Sequence, residues 1–138
     1  LIGSVGLAIA GGTPSPYTRT TSFVIACSDE TTALTTGTKV TFRLPFAFTV
    51  TEVRASLTTA GTGANLVTLD FEQNTTSILS TKITIDATEL TSTTALTQPV
   101  ISTSALTDDA SITCDVDQID SGGVSAGLKM YLIGYKTL

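Results

Sequence analysis

The sequence predicts an all-β protein: an antiparallel β-sandwich, jelly-roll-like, of about eight strands behind an extended N-terminal arm. Threonine makes up about a fifth of the 138 residues, and β-branched side chains such as Thr and Val suit a pleated strand better than a helix. Short segments alternate between apolar and polar residues, with turn-forming residues between them. No stretch sustains the 3.6-residue periodicity of an amphipathic helix.

The strands are expected at close spacing along the chain. Pro99 lacks a backbone N–H, so its segment is expected at a sheet edge. The stretch 87–98 is expected to form a loop or a single helical turn. The predicted strand segments are 22–28, 38–44, 46–60, 66–74, 77–80, 82–86, 99–104, 111–119 and 127–136.

One predicted strand changes phase in its middle. Its apolar positions are even-numbered up to Val50 and odd-numbered from Val53 onward. A slip of one residue around Thr51 and Glu52 predicts a β-bulge, or a strand that bends from one sheet to the other.

The last predicted strand is apolar on both faces. Leu128, Met130 and Leu132 share one face, while Tyr131, Ile133 and Tyr135 share the other. An antiparallel strand of this kind needs cover on its outer side. A loop could provide it, but we expect a neighbouring subunit.

The chain divides into an N-terminal arm, residues 1–21, and a β-sandwich domain, residues 22–138. Residues 1–12 are small and apolar and are too few to span a bilayer, while Pro14 and Pro16 punctuate the segment that follows. The arm can be read either as a flexible tail or as an anchor that orders against a partner.

The formal net charge of −5, with seven scattered Lys and Arg residues, argues against nucleic-acid binding and against a polybasic membrane segment. Cys27 and Cys114 both fall on apolar strand phases. They could pair, but we expect reduced thiols in the core.

The segment Gly123-Val124-Ser125-Ala126-Gly127 matches the G-x-S-x-G pattern of a hydrolase nucleophile elbow. That elbow needs a helix after the serine and a base beside it. The chain contains no histidine, and a strand is predicted after Gly127. We therefore expect Ser125 to be a turn residue and predict no catalytic residue.

Asp115, Asp117 and Asp120 precede a Gly-Gly pair, as in a calcium loop, but their spacing does not fit an EF-hand. Asp115 and Asp117 are expected on the solvent face of their strand and Asp120 at a turn. A weak cation site that also uses Asp108-Asp109 stays open, although we predict no metal or cofactor site. Tyr17, Tyr131 and Tyr135 are interpreted as packing residues.

Two segments carry a family resemblance: TKVTFRLPFAFTVTEVRASLTTA (38–60) and ITCDVDQIDSGGVSAGLKMYLIG (112–134). With SILSTKITIDATELTST between them, they make residues 24–136 similar to a recurrent domain of bacteriophage and prophage tail, fibre and virion-structural proteins. The resemblance implies an oligomeric β-sandwich on the outside of a virion and no enzyme activity.

These observations together predict a non-enzymatic virion structural protein, either a capsid decoration or a fibre or tail accessory protein. It is expected to form a homo-oligomer, with a trimer favoured, and to dock on capsid or tail proteins through residues 1–21. Assembly in the host cytoplasm would place it on the particle exterior, in reach of a host surface glycan. The alternative is a carbohydrate-binding β-sandwich module of a secreted or virion protein.

Overall fold

The computed structural model describes residues 19–138, and it confirms the all-β prediction. The predicted boundary at residue 22 falls inside the first strand, which begins at Thr20. Residues 1–18 of the predicted arm lie outside the described residues. The eleven strands of the described part are β1 (Thr20–Ala26), β2 (Gly37–Arg43), β3 (Phe48–Ser56), β4 (Val67–Gln73), β5 (Thr76–Ser77), β6 (Leu79–Thr81), β7 (Ile83–Ile85), β8 (Val100–Ile101), β9 (Ala105–Leu106), β10 (Ser111–Gln118) and β11 (Lys129–Lys136).

The strands form two larger antiparallel sheets and one small one. Sheet A has the order β1-β11-β3-β9, and sheet B has the order β2-β10-β4-β5 with β7 also paired to β4. The small sheet pairs β6 with β8. Inward side chains of sheets A and B share one core, which gives a sandwich-like fold.

The long strands lie where the alternation predicts them, and the short ones are less regular. Two-residue strands such as β5 and β9 are too short to show a periodicity, so alternation does not predict them. Their positions depend on tertiary contacts. The stretch 87–98 contains one 3₁₀ turn, Ser92–Thr94, whose N-cap Thr91 accepts from the N–H of Thr93. β8 follows Pro99 and, among the described strands, pairs with β6 alone, as an edge strand does.

The predicted β-bulge is confirmed at Thr51. β11 pairs Ile133 with Glu52 and the next residue, Gly134, with Val50, so no residue of β11 lies directly opposite Thr51. The extra residue lets Val50 and Val53 both point into the core although they are three apart in sequence.

The last predicted strand, β11, lies in the middle of sheet A between β1 and β3. Met130 and Leu132 are fully buried, whereas Tyr131, Ile133 and Tyr135 are half-buried on the outer face. Both faces of β11 therefore carry apolar surface, as the sequence indicates.

Cys27 and Cys114 are free, buried thiols. Cys27 directly follows β1 in sheet A and Cys114 lies in β10 of sheet B, so the thiols come from opposite sheets. Interaction with the Cys27 thiol, together with burial, raises the pKa of Cys114 well above its ordinary value. Cys114 therefore stays protonated and behaves as a small apolar core residue.

Candidate functional site

The G-x-S-x-G segment lies in the connection between β10 and β11, with Gly123 and Val124 exposed and residues 125–127 buried. Ser125 is only 1% exposed. Its hydroxyl donates to Asp120 Oδ1 at 2.5 Å, and its backbone N–H donates to the same oxygen at 3.3 Å. Gly127 has φ +72° just before β11, and a Cβ there would meet Thr58 at 2.4 Å. The glycine is thus required by backbone conformation and close packing.

Asp120 holds two loops together. Its Oδ2 accepts the backbone N–H groups of Thr62 at 3.0 Å and Val124 at 3.1 Å. Burial alone would raise the pKa of Asp120, but the hydrogen bonds from Ser125, Thr62 and Val124 lower it to about 2. The aspartate is therefore ionised at neutral pH and serves as an acceptor for loop N–H groups.

The lysine nearest to Ser125 in the sequence is engaged elsewhere. The Lys129 ammonium pairs with Glu30 and donates to Thr58 Oγ1 at 3.2 Å and to the Gly127 carbonyl at 3.3 Å. A strand follows Gly127, as predicted, so the elbow geometry of strand, turn and helix is not formed.

Chemistry-bearing side chains do gather on the outer face of sheet B. Asp70 and Glu72 of β4 lie beside Asp115 of β10, and one carboxylate oxygen from each falls within 4.8 Å of the other two. Strand pairing causes this, because Asp115 is directly opposite Asp70 and Thr113 is opposite Glu72.

These carboxylates are more buried than their outward direction suggests. Asp70 is 1% exposed and Asp115 is 8% exposed. Asp115 lies on the outer face, as the alternation predicts, but it is not exposed to solvent as expected there, because neighbouring polar side chains contact it. Thr38 donates to its Oδ1 at 2.6 Å, and Thr113 donates to its Oδ2 at 3.4 Å.

Lys82 supplies the positive charge of this group. Its ammonium lies 3.2 Å from Asp70 Oδ2 and 2.6 Å from Asp117 Oδ2. The pairing with Asp117, which outweighs partial burial, and the pairing with Asp70 raise the pKa of Lys82. Burial, together with the charges of Asp115 and Asp70, raises the pKa of Glu72.

Carboxylate oxygens at this spacing are the donors that Ca²⁺ or Mg²⁺ prefers.

The structure separates the acidic residues that the sequence brings to attention. Asp117 contacts Lys82, Asp120 lies in the loop described above, and Asp109 is exposed beside Arg43. Asp70 and Glu72 were not identified from the sequence. Alternation places them on the outer phase of β4, but only the β4–β10 register brings them to Asp115.

A cavity of about 600 Å³ lies beside the part of β3 that β9 does not reach. Val50 donates its backbone N–H to Ser104, and Ala55 donates to Ser92 Oγ, which leaves a gap between these two contacts. The cavity is lined by Thr51, Glu52, Val53, Arg54, Ser92, Thr93, Gln98, Pro99, Val100 and Ile101. Arg54 and Glu52 form an ion pair at its border, at 2.5 Å.

The outer face of sheet A carries the described tyrosines. Tyr131 shares a hydrogen bond of 2.9 Å with Ser56 Oγ, and Tyr131 is paired with Val24 on one side and Arg54 on the other. The third tyrosine, Tyr17, lies outside the described residues.

The chain matches no protein-family model, no curated protein and no solved structure. None of the helical structure within residues 19–138 is long and apolar enough to cross a membrane.

Proposed function

We propose that this protein is a non-enzymatic structural protein of a bacteriophage particle. It is a homo-oligomeric capsid decoration or a fibre or tail accessory protein. Residues 1–21 dock it on other virion proteins, and the β-sandwich projects outward, where it is available for contact with a host surface glycan. The protein reaches the particle exterior after assembly in the host cytoplasm.

The observation that carries this proposal is the apolar outer face of β11. Tyr131, Ile133 and Tyr135 line the centre of sheet A, and β1 adds Val24, which is 60% exposed, next to Tyr131. A partly exposed apolar row of this kind favours contact with another protein. Neighbouring subunits of a virion supply such contacts.

The strand order supports the jelly-roll-like part of the proposal. The first four strands alternate between the sheets, with β1 and β3 in sheet A and β2 and β4 in sheet B. β9, β10 and β11 alternate in the same way. Such alternation is expected of a jelly roll, in which successive antiparallel strands enter two facing sheets in turn.

The two segments that resemble phage structural proteins form the centre of this framework. Residues 38–60 contain β3 and most of β2, and residues 112–134 contain most of β10 and β11. β10 and β11 are the second strands of sheets B and A, so the resemblance covers the strands around which each sheet is built.

The docking part is tested by particle incorporation. Cells that carry the encoding phage or prophage would express the full chain, a chain lacking residues 1–18, or a chain with a Gly/Ser stretch of equal length in their place. We expect the full chain in purified particles and a loss of both variants, because the apolar arm makes the contact. The Gly/Ser chain controls for length.

Unchanged incorporation of the shortened chain would contradict docking through the arm. Absence of the full chain from purified particles would contradict the virion role itself.

The cavity beside β3 favours carbohydrate binding as a second candidate function. It is surrounded by the ion-paired Glu52 and Arg54 and by the polar Thr93 and Gln98, with Val100 as an apolar surface. Such a mixture suits a small polar ligand. Binding on a glycan array that is lost in Thr93→Ala and kept in Thr41→Ala, which lies on β2, would support this candidate. An array without binding would count against it.

A further inference from the structure

We infer that β1 is a self-association strand, which pairs antiparallel with β1 of a second copy across a two-fold axis. This inference goes beyond the proposed function. It assigns a two-fold contact where the sequence analysis favoured a trimer.

β1 is an open edge of sheet A. It pairs with β11 on one side, and no described strand pairs with its other side. Cys27 donates its N–H to Leu128 on the β11 side. Since N–H groups alternate in direction along a strand, those of Ser22, Val24 and Ala26 point away from β11. Within residues 19–138 these outward groups meet no hydrogen-bonding partner.

The other edge strands of sheets A and B are short or charged, and β1 is neither. β5 and β9 have two residues each and β7 has three, so they offer little to pair with. β2 is as long as β1 but carries Lys39 and Arg43. Short length and charge are common ways to prevent edge pairing. β1 reads TTSFVIA, seven residues without charge or proline.

The flank beside β1 also leaves core side chains half-exposed. Phe23 of β1 packs on Phe42 of β2 with ring centroids 6.1 Å apart, and on Phe46 at 5.9 Å. β1 and β2 are the edge strands on this flank. Each leaves an aromatic side chain partly exposed, although the same side chain also packs against the core. A partner that pairs with β1 would cover this flank as well.

A second copy fits this edge by charge and by register. Antiparallel self-pairing centred on Phe23 places Ser22 opposite the second copy's Val24 and Thr20 opposite its Ala26. Residues that lie opposite each other then share a face of the sheet. The outward N–H and C=O groups also meet as hydrogen-bonded pairs. No like charges oppose each other, because β1 has none. A self-pairing β2 would instead bring Lys39 and Arg43 close to their own copies.

The test measures mass and amide exchange on the purified full chain. Val24→Lys adds a charge at an exposed position of β1, and Thr41→Lys adds the same charge at an exposed position of β2 as the matched control. We expect twice the monomer mass for the unmodified chain and for Thr41→Lys, and the monomer mass for Val24→Lys. The amides of Ser22, Val24 and Ala26 should exchange about tenfold or more slowly in the dimer than the same positions in Val24→Lys.

Three results would overturn the inference. A trimer would exclude two-fold pairing, and a dimer that survives Val24→Lys would use another surface. A monomer would exclude self-association. If the chain were a monomer and the amides of Ser22, Val24 and Ala26 exchanged slowly until residues 1–18 were removed, β1 would pair with the N-terminal segment of its own chain. A monomer would also contradict the homo-oligomeric part of the proposed function, whereas the virion role itself is tested separately by particle incorporation.

Discussion

Single residues in this protein take part in stabilising contacts that their sequence patterns do not reveal. Ser125 sits in a hydrolase-like pattern, yet its hydroxyl is buried against Asp120. The absence of histidine from the sequence already argued against a triad. The structure adds what the serine does: it satisfies a carboxylate that anchors the loops before β11.

Replacement of Ser125 by Ala should destabilise the protein by about 1–3 kcal/mol, because Asp120 Oδ1 would lose its shortest hydrogen bond while staying buried. Urea denaturation at pH 7 measures the free energy of unfolding. Ser121→Ala, at an exposed serine in the same connection, is the control, although it also removes a hydrogen bond to the Asn65 N–H. Equal stabilities of the unmodified chain and Ser125→Ala would contradict this role.

Asp120→Asn should flatten the acid side of the stability curve. The pKa of Asp120 is lowered to about 2 in the folded state, against about 3.9 in an unfolded chain. Its contribution is therefore complete above about pH 4 and is lost as the pH falls toward 2. We expect the variant to be less stable at pH 7 by about 1–3 kcal/mol, with the difference shrinking at pH 2. A difference that stays constant with pH would contradict the assignment.

Glu72→Gln should have the opposite pH dependence. Burial and the nearby Asp115 and Asp70 raise the pKa of Glu72, so its favourable state is the protonated one. Stability is then greater at low pH and falls as the pH rises through the raised pKa. We expect the variant to have a higher Tm at pH 7, by about 1–3 °C, and no advantage near pH 4. Glu89→Gln, away from this cluster, should show neither effect.

At the scale of single elements, alternation predicts the long strands but not their partners. β3 shows how much a pattern can indicate: the phase slip at Thr51 predicts a bulge, and the register of β11 confirms it. What the slip does not show is that the residue opposite must be small. Gly134 packs so closely there that a Cβ would lie 1.9 Å from the Thr49 carbonyl oxygen.

Gly134→Ala should therefore destabilise the protein by about 1–3 kcal/mol through overpacking at the bulge. Thermal unfolding followed by circular dichroism gives the change. Ala105→Ser, at an exposed position of β9 in the same sheet, should leave Tm nearly unchanged. An unchanged Tm for Gly134→Ala would mean that the bulge relaxes without cost.

At the scale of the whole molecule, one core holds the two sheets together. Phe48 of β3 is fully buried and packs edge-on against Phe23 of β1, with centroids 5.1 Å apart. It belongs to the same buried cluster as Leu69 and Ile112 of sheet B. The sheets share these contacts, so we expect them to unfold together.

Phe48→Ala should lower the free energy of unfolding by about 3–5 kcal/mol, because a large buried side chain is removed. Both sheets should lose structure at the same urea concentration. In a Tyr17→Phe background, tyrosine fluorescence reports on sheet A through Tyr131 and Tyr135, and amide exchange of β4 and β10 reports on sheet B. Separate midpoints for the two probes would contradict a shared core.

The sequence by itself determined the all-β class, the long strands, the bulge and the two-faced last strand. Each of these depends on local alternation and on β-branched composition, which can be read one segment at a time. The tertiary structure decided which strands are neighbours. Only the register of β4 on β10 brings Asp70 and Glu72 to Asp115, and only the strand order places β1 at an edge of sheet A within residues 19–138. Pairing joins residues far apart in the chain, and alternation carries no information about distant partners.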